Sequence, residues 1–373
     1  MAPIGDLRPF QQHESPFRGT DGVIVLSLQR RLMPFQTPRE DRFLRPDRSR
    51  PEKNPRPRLV AFGGGTGMST LLSGLRDQPV EVTAVVSVSD DGGSSGRLRK
   101  DFDMAPPGDI RNCLLALSSQ EPLWERLLDY RFEESELEGH SVGNLLITAL
   151  TRLNGDFDSA IREMNRLLRV RGRVLPAIGE KLTLIATHPD GTKSTGEEQI
   201  VRSGKSISRV ESRPRVLEPA ADVAEAIEAA DVIVFGPGSL FTSVIPPLLI
   251  EGIRRRVVER QAMKIYIANV MTQPGETDEM GLADHLDALE RHAGETIIHQ
   301  VLAHDGTFSN DMLNAYSSRK CDPVVYRGDL GGRGVRVTTS DLIDHNSRIA
   351  RHRPDLIGRL ICELALTRMG FNL

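Results

Sequence analysis

From residue 58 onward, short apolar runs alternate with amphipathic segments along the chain. Residues 59–62 and the valine-rich residues 82–88 are continuous apolar runs, which is typical of parallel strands that are buried on both faces. Between these runs, the leucines of residues 71–75 fall on one face of a predicted helix. Strands that alternate with helices in this way predict a Rossmann-like three-layer α/β fold with a mostly parallel sheet.

The same alternation continues to the end of the chain. Predicted helices cover residues 110–117, 142–150, 156–168, 222–230, 282–291 and 355–369. Predicted strands cover residues 232–235, 264–268, 296–302 and 323–326. Residues 173–215 differ, because short alternating segments flank the polar sequence DGTKSTGEE. This pattern predicts a small antiparallel β insertion, which is either a lid over the cleft or a simple surface excursion.

A glycine-rich turn joins the first predicted strand to its helix. The sequence GGGTG allows a sharp turn and a close approach of a ligand to the backbone. We expect residues 65–69 to lie at the helix N-terminus, where N–H groups and the helix dipole favour phosphate. Gly64, Gly65, Thr66 and Gly67 are the candidate phosphate contacts. A turn that serves only packing is the alternative. Met68 replaces the third small residue of a dinucleotide fingerprint, and no Lys follows as in a Walker loop, so the turn does not identify the nucleotide.

Two later strands end in similar clusters of small and polar residues. Residues 232–235 run into GPGSLFTS, which predicts a second glycine turn and helix start, and residues 264–268 run into NVMTQPGETD. Because the carboxyl ends of parallel strands meet at one edge of a sheet, these clusters are predicted to bind the same ligand. The candidate residues are Gly236, Gly238, Ser239, Thr242, Asn269, Thr272 and Glu276. For Glu276 and Asp278, capping of the next helix is the alternative.

Acidic residues follow the second predicted strand. In doubly wound sheets, an acid at this place, roughly 20 residues past the glycine turn, often binds ribose hydroxyls. Asp90 and Asp91 are both placed for that role. Further on, Asp109 follows two prolines and a glycine and is suited to cap the helix of residues 110–117.

The segment GHSVGN opens the predicted helix of residues 142–150. Ser141 is a candidate N-cap of this helix. From the residues alone, His140 is a capping or packing histidine, because no Cys or second His stands nearby to build a metal site. Arg111 and Asn112 lie in the first turn of the preceding helix, where local capping and solvent contact are the simplest roles.

The first 57 residues are dense in Pro and Arg and have little apolar periodicity apart from residues 22–28. This composition predicts a disordered tail, residues 1–57, followed by an α/β domain, residues 58–373. A targeting segment is one alternative, although the acidic residues and the lack of a long apolar run argue against export. An upstream start codon that the cell does not use is another.

The composition of the chain argues against some classes of partner and location. The 373 residues are 39% hydrophobic and 27% charged, which is ordinary for a globular protein. A net charge of −3 gives no electrostatic case for nucleic acid as a partner. No apolar run approaches the roughly 18 residues of a membrane span. Cys113, Cys321 and Cys362 are far apart and form no CxxC pair, which predicts buried thiols in a reduced, cytoplasmic environment.

Six motifs resemble, in order, those of the gluconeogenesis factor family, which is often written YvcK and belongs to the CofD-like superfamily. They are GGGTG, VSVSDDGGSSGRLR, PPGDIRNCLLAL, GHSVGNLLITAL, FGPGSLFTSVIPPLL and NVMTQPGETD. The resemblance covers about residues 58 to 370 and leaves the first 57 residues unexplained.

The resemblance implies a cleft that binds a nucleotide sugar, with UDP-N-acetylglucosamine as the expected ligand. It implies an aromatic ring that stacks on uracil and an arginine that reaches the diphosphate. Tyr316 and Arg351 are the counterparts in this sequence, with Arg348 or Arg353 as alternatives to Arg351.

The resemblance also implies a regulatory role. Members of the family are cytoplasmic and are needed for normal cell shape and envelope synthesis on gluconeogenic carbon sources. A sensor that engages protein partners and requires no cofactor is therefore expected, and a homodimer is left open. The resemblance further implies that Asn144, with His140, Arg111 and Asn112, borders the cleft.

An enzyme is the alternative. The related CofD transferases move a phospholactyl group from a nucleotide diphosphate donor and use acidic residues with a divalent cation. In that case Asp90 and Asp91 would be catalytic, and Asp90 and Asp109 would bind Mg²⁺. Binding of NAD without chemistry is a third hypothesis, which the same glycine turn would permit.

Overall fold

The computed structural model describes residues 25–27, 56–216, 218–317, 321–324, 326, 330 and 332–370. Its strands are β1 (Val25–Ser27), β2 (Arg58–Gly63), β3 (Glu81–Val86), β4 (Arg173–Pro176), β5 (Thr183–Thr187), β6 (Lys193–Thr195), β7 (Arg209–Arg213), β8 (Val232–Phe235), β9 (Met263–Ile267), β10 (Gln300–His304) and β11 (Arg336–Ser340). Its helices are α1 (Gly65–Leu75), α2 (Gly93–Phe102), α3 (Gly108–Leu117), α4 (Pro122–Asp129), α5 (Val142–Asn154), α6 (Phe157–Leu167), α7 (Glu197–Ser203), α8 (Ala221–Ala229), α9 (Glu251–Glu259), α10 (Leu282–Ala293), α11 (Asn310–Ser317) and α12 (Pro354–Arg368).

The main sheet has the strand order β1-β11-β10-β9-β8-β2-β3-β4. Every neighbouring pair in it is parallel. The chain adds β3 and β4 on one side of β2 and then returns to add β8, β9, β10 and β11 on the other. The strand order therefore reverses between β2 and β8, where sheets of this kind bind ligands at the carboxyl edge. The predicted Rossmann-like α/β fold is confirmed.

The two central strands are buried along almost their whole length. All four residues of β8 and five of the six residues of β2 are buried. Phe62 and Phe235 are register partners on these strands, and their rings stack with centroids 5.5 Å apart. Burial on both faces explains why these strands are continuous apolar runs in the sequence.

Helices α1 and α12 cross where two glycines meet. A Cβ atom on Gly74 would lie 1.9 Å from the carbonyl oxygen of Pro354, and one on Gly358 would lie 2.1 Å from that of Gly74. Because no side chain fits at such distances, the two helices pack backbone to backbone. This contact fixes α1, which begins in the first glycine turn.

The predicted antiparallel insertion is confirmed, with a different boundary. Strands β5, β6 and β7 form a separate antiparallel sheet in the order β6-β5-β7, and α7 lies between β6 and β7 in the chain. Strand β4 pairs with β3 in the main sheet. The insertion therefore begins after β4 and not at residue 173.

Three local predictions were wrong. Of the predicted strand 323–326, residue 325 lies outside the described residues, and the other three residues form only an isolated bridge, between Pro323 and Met271. The second glycine turn leads into a π-helical turn (Leu240–Val244) and a 3₁₀ turn (Pro246–Leu249), because two consecutive prolines lack the N–H groups of an α-helix. The N-cap of α3 is Pro107, so Asp109 lies within the first turn of that helix instead of capping it.

Most of the predicted N-terminal tail lies outside the described residues. Within it, Val25–Ser27 pairs with β11 at the edge of the main sheet. Cys113, Cys321 and Cys362 are buried and form no disulfide bond among the described residues, as the sequence predicts. In the described part of the chain, the helices are all too short or too polar to cross a membrane.

Candidate functional site

A cavity of about 550 Å³ opens at the carboxyl edge of the sheet, at the switch point between β2 and β8. Its volume lies in the range of about 300–1,000 Å³ that is typical of small-molecule sites. The wall consists of Gly64, Gly65, Thr66, Gly67, Thr70, Glu197, Val201, Pro237, Gly238, Ser239, Thr242, Ser243, Asn269, Val270, Met271, Thr272, Gln273, Pro274, Glu276, Tyr316, Cys321, Ala350, Arg351 and His352.

The two glycine turns touch each other in this wall. A Cβ atom on Gly67 would lie 2.4 Å from the carbonyl oxygen of Pro237 and 2.9 Å from Cα of Gly238. Gly64 is the N-cap of α1 and has no side chain to cap the N–H groups of the first helical turn. Two backbone turns in contact, with a helix N-terminus in one of them, suit an anionic ligand.

The loop that follows β9 is held against the second turn by side-chain amides. Asn269 Oδ1 accepts a hydrogen bond of 3.3 Å from the N–H of Gly238. Gln273 Nε2 donates a hydrogen bond of 2.9 Å to Ser239 Oγ. Both amides line the cavity, so hydrogen bonds join the loop after β9 to the second turn within the cavity wall.

Glu276 is a carboxylic acid that is only 2% exposed, behind the second turn. It accepts hydrogen bonds from Thr242 Oγ1 at 2.7 Å and from the N–H of Phe241 at 3.4 Å. Burial raises the pKa of Glu276 to about 7. The alternative role as a helix cap is wrong, because Gly281 is the N-cap of α10 and its N–H is bonded to Asp284.

The carboxyl of Asp109 lies against the first turn and interacts with those of Asp90 and Glu197. The pKa of Asp109 is raised to about 7, first by burial and second by the charge of Asp90. A backbone hydrogen bond with Gly65 acts in the opposite direction and lowers this pKa. Burial and then the carboxyls of Asp109 and Asp90 raise the pKa of Glu197 well above its usual range, although Ser89 Oγ donates a hydrogen bond to it. Close acids of this kind can share a proton or favour a cation.

Asp90 and Asp91 lie outside the cavity lining. Asp90 Oδ1 accepts a hydrogen bond of 3.0 Å from the N–H of Gly92 in its own turn. Asp91 Oδ1 accepts a hydrogen bond of 2.8 Å from the N–H of Glu198, the second residue of α7. Asp91 therefore caps the insertion helix from outside it.

Asn144 belongs to a buried hydrogen-bond network beside the cavity and not to its lining. Its Nδ2 donates to Ser94 Oγ at 3.1 Å, and its Oδ1 accepts from Arg111 Nη1 at 3.4 Å. His140 Nδ1 lies 2.9 Å from the same Ser94 hydroxyl. Ser141 is the N-cap of α5, as predicted, and accepts from the N–H of Asn144 at 3.2 Å.

The C-terminal part contributes an aromatic ring and a guanidinium. Tyr316 and Arg351 both line the cavity. Tyr316 packs against the buried apolar cluster of Val270, Met271, Met312, Cys321, Ile343 and Ala350. Of the two alternatives to Arg351, Arg353 is bonded to Asp355 at 2.8 Å, and neither Arg348 nor Arg353 is part of the lining.

The structure thus brings most of the predicted ligand residues together. The lining includes Gly64, Gly65, Thr66, Gly67, Gly238, Ser239, Thr242, Asn269, Thr272, Glu276, Tyr316 and Arg351. It does not include Asp90, Asp91, Asn144 or Gly236. Glu197, Gln273 and His352 line the cavity without having been predicted. Gln273 could have been predicted from the sequence, because it stands in the polar cluster that follows β9. Glu197 could not, because no sequence pattern links it to the glycine turns.

Across the described ranges, no group of three or more His, Cys, Asp and Glu side chains is arranged to hold a metal ion. Asp90 and Asp109 remain as a neighbouring pair of carboxyls. Mg²⁺ is usually bound through one or two carboxylates together with substrate phosphates, so the pair fits that chemistry only with a ligand present.

The fold and the cavity define a class of protein: a doubly wound, Rossmann-like α/β protein with a ligand-sized cavity at its switch point. Comparison with known proteins refines this class. The family model for 2-phospho-L-lactate transferase CofD matches residues 59–343. The gluconeogenesis factor of Halalkalibacterium halodurans is 46% identical over 307 residues, which are 82% of this chain and 95% of that protein.

Two further comparisons agree. The gluconeogenesis factor of Bacillus subtilis is 42% identical over 311 residues, which are 83% of this chain and 98% of that protein. A crystal structure of a Bacillus halodurans protein superposes with a TM-score of 0.80 and 45% identity, covering 82% of this chain and 99% of that one. The chain belongs to the gluconeogenesis factor family and has a CofD-like domain.

Proposed function

We propose that the cavity binds a UDP-sugar, with UDP-N-acetylglucosamine as the physiological ligand. The observation that carries the proposal is the contact between the two glycine turns at the switch point, with Tyr316 and Arg351 in the same cavity wall. Backbone N–H groups of both turns suit a diphosphate. A tyrosine ring suits stacking on uracil, and a guanidinium suits phosphate oxygens.

The acidic residues of the wall complete this assignment. Glu197 and Glu276 line the cavity, and a carboxyl oxygen can accept a hydrogen bond whether or not the group is protonated. They are suited to the hydroxyls of a sugar. Asp90 and Asp91, which we expected to bind ribose hydroxyls, are bonded to backbone N–H groups, so we assign them to holding the site's loops.

We further propose that the ligand regulates a partner equilibrium in the cytoplasm, and that this regulation serves cell shape and envelope synthesis during gluconeogenic growth. The cavity wall combines residues of the main domain with Glu197 and Val201 of α7 in the insertion. A ligand that contacts both parts favours one arrangement of them, and the outer surface of the insertion then reports occupancy to a partner.

Thermal unfolding tests the ligand proposal. A ligand that binds only the folded state at 100 times its Kd adds about 2.7 kcal/mol to the free energy of unfolding. We expect UDP-N-acetylglucosamine to raise Tm by several degrees, and UMP or N-acetylglucosamine alone to raise it much less. An unchanged Tm at millimolar UDP-sugar would refute the proposal.

A transferase is the second candidate, and the raised pKa of Asp109 beside Asp90 favours it. With a nucleotide diphosphate bound, these two carboxyls would hold Mg²⁺, which would neutralise charge on the phosphates. Asp90→Asn discriminates the two candidates. A transferase would lose metal-dependent turnover and keep most of its nucleotide affinity, whereas a binding regulator has no turnover to lose.

A further inference from the structure

Two amide side chains of the cavity wall each have a buried polar atom with no hydrogen-bond partner among the described residues. These atoms are Nδ2 of Asn269 and Oε1 of Gln273. No other lining residue of the described chain has such an atom. Buried polar atoms are nearly always paired in folded proteins, so two orphans in one cavity wall point to a partner that the chain itself does not supply.

Each of the two amides bonds the second glycine turn with one polar atom and leaves its other polar atom without a partner among the described residues. The backbone N–H of Gly238 can only donate a hydrogen bond, so its partner on Asn269 is the acceptor Oδ1. The donor Nδ2 of Asn269 is therefore left without a partner among the described residues. Gln273 uses its Nε2 on Ser239 Oγ and leaves the Oε1 acceptor over. One donor and one acceptor of the same loop are therefore left over, each on an amide that is bonded to the second turn.

We propose that Asn269 and Gln273 recognise an amide or imide edge of the ligand. Asn269 Nδ2 donates to a carbonyl oxygen of the ligand, and Gln273 Oε1 accepts from the neighbouring N–H. With Gln273 oriented as it is in this structure, a diphosphate does not fit the pair, because phosphate oxygens at neutral pH only accept hydrogen bonds and would leave Gln273 Oε1 unpaired. The inference rests on the UDP-sugar proposal and adds which residues set specificity.

A UDP-sugar carries this chemistry in two places. Uracil has an imide N–H between two carbonyls, and an N-acetylated sugar has an acetamido group. Three ligands separate these sources: UDP-N-acetylglucosamine, UDP-glucose, which lacks the acetamido group, and CDP-glucose, which lacks the imide N–H. For each variant, the preference is the ratio of its dissociation constants for two of these ligands. General damage to the site weakens both ligands alike and therefore leaves this ratio unchanged.

The test compares Gln273→Met, which keeps the volume and removes the acceptor, with Gln261→Met, the same exchange at an exposed position near the opposite end of β9. Asn269→Asp is the second variant, because it keeps the acceptor for Gly238 and removes the donor. Dissociation constants for the three ligands are measured by equilibrium dialysis, with thermal unfolding as a check that each variant is folded.

We expect both site variants to lose one preference of the wild type by roughly ten- to a hundredfold, the loss that follows when one hydrogen bond is left unmade, while Gln261→Met loses none. Loss of the preference for UDP-N-acetylglucosamine over UDP-glucose identifies the acetamido group. Loss of the preference for UDP-glucose over CDP-glucose identifies uracil. If both preferences persist in both site variants, the inference is wrong. If the wild type binds none of the ligands, the UDP-sugar proposal fails and this inference fails with it.

Discussion

At the scale of single residues, the contact between the two glycine turns sets the strictest requirement of the site. A Cβ atom on Gly67 would lie 2.4 Å from the carbonyl oxygen of Pro237. Gly63, at the other end of the same GGGTG sequence, would place a Cβ atom no closer than 3.7 Å to its neighbours. The two positions look equivalent in the sequence, but only Gly67 excludes a side chain.

Gly67→Ala should therefore separate the two turns. We expect at least tenfold weaker binding of UDP-N-acetylglucosamine and a loss of about 1–3 kcal/mol in the free energy of unfolding, the usual cost of overpacking. Gly63→Ala is the matched control and should leave both quantities unchanged. Calorimetric titration and urea unfolding measure them, and equal behaviour of the two variants would contradict the packing of the turns.

Glu276 predicts a pH dependence of stability. Its pKa is raised from 4.5 to about 7 in the folded protein, so its contribution is fully present below pH 4.5 and is lost as the pH rises to about 7. We expect the free energy of unfolding to fall between pH 5 and pH 8, with on the order of 2–3 kcal/mol of the fall due to Glu276.

Glu276→Gln isolates this contribution, because the amide can still bond Thr242 and the N–H of Phe241 and does not ionise. Urea unfolding at pH 5 and pH 8 should show a smaller fall in the variant than in the wild type. Glu259→Gln changes an exposed residue of α9 and is the control. Its free energy of unfolding should fall between pH 5 and pH 8 by as much as that of the wild type. If the free energy of unfolding falls by the same amount in all three proteins, Glu276 is not a buried acid.

Single residues were predicted from sequence to an uneven extent. Glycines and hydroxyls that directly follow a buried strand, such as Gly67 and Ser239, were identifiable because strand ends in a parallel sheet share one edge. Glu197 was not, because it reaches the cavity through the insertion. Asp91 and Asn144 have the residue types of ligand contacts, and only the three-dimensional structure shows that backbone and side-chain partners already occupy them.

At the scale of elements, the insertion helix α7 depends on a residue outside the insertion. Asp91 accepts a hydrogen bond from the N–H of Glu198, and a Cβ atom on Gly196 would lie 2.2 Å from Asp91 Oδ2. The loop after β3 is therefore packed directly against the start of α7. Because α7 supplies Glu197 to the cavity wall, this contact links the insertion to the site.

Asp91→Ala should loosen α7 without unfolding the protein. Loss of a helix cap costs about 1 kcal/mol, so amide hydrogen exchange in residues 197–203 should be faster, while exchange in the main sheet stays as in the wild type. Asp101→Ala, at an exposed position on α2, is the control. Unchanged exchange in α7 would show that the cap does not hold the helix.

Elements were predicted well where the apolar pattern is continuous, as in the four-residue strand β8, and poorly where polar residues or prolines interrupt it. Residues 82–88 and 355–369 are long patterns, and β3 and α12 lie there. Strand β4 has only four residues and was grouped with the insertion, although it pairs with β3. The π-helical turn after the second glycine turn has no sequence signature apart from the two prolines that follow it.

At the scale of the whole molecule, the chain order of strands and helices was sufficient to predict a parallel, doubly wound sheet. The sequence alone did not place the switch point between β2 and β8, because strand order depends on which edge each crossover returns to. The topology brings the two glycine turns into contact, although a large part of the chain separates them. This juxtaposition is the basis of the proposed UDP-sugar site.

Calorimetric titration of the wild-type protein tests the central claim most directly. The titrants are UDP-N-acetylglucosamine, UDP-glucose, GTP and NAD, each with and without Mg²⁺. We predict that a UDP-sugar binds without a metal requirement and is recovered unchanged, because the proposed contacts of its diphosphate, the backbone N–H groups of the two turns and Arg351, need no metal ion. Preference for GTP with a requirement for Mg²⁺, or preference for NAD, would contradict the account.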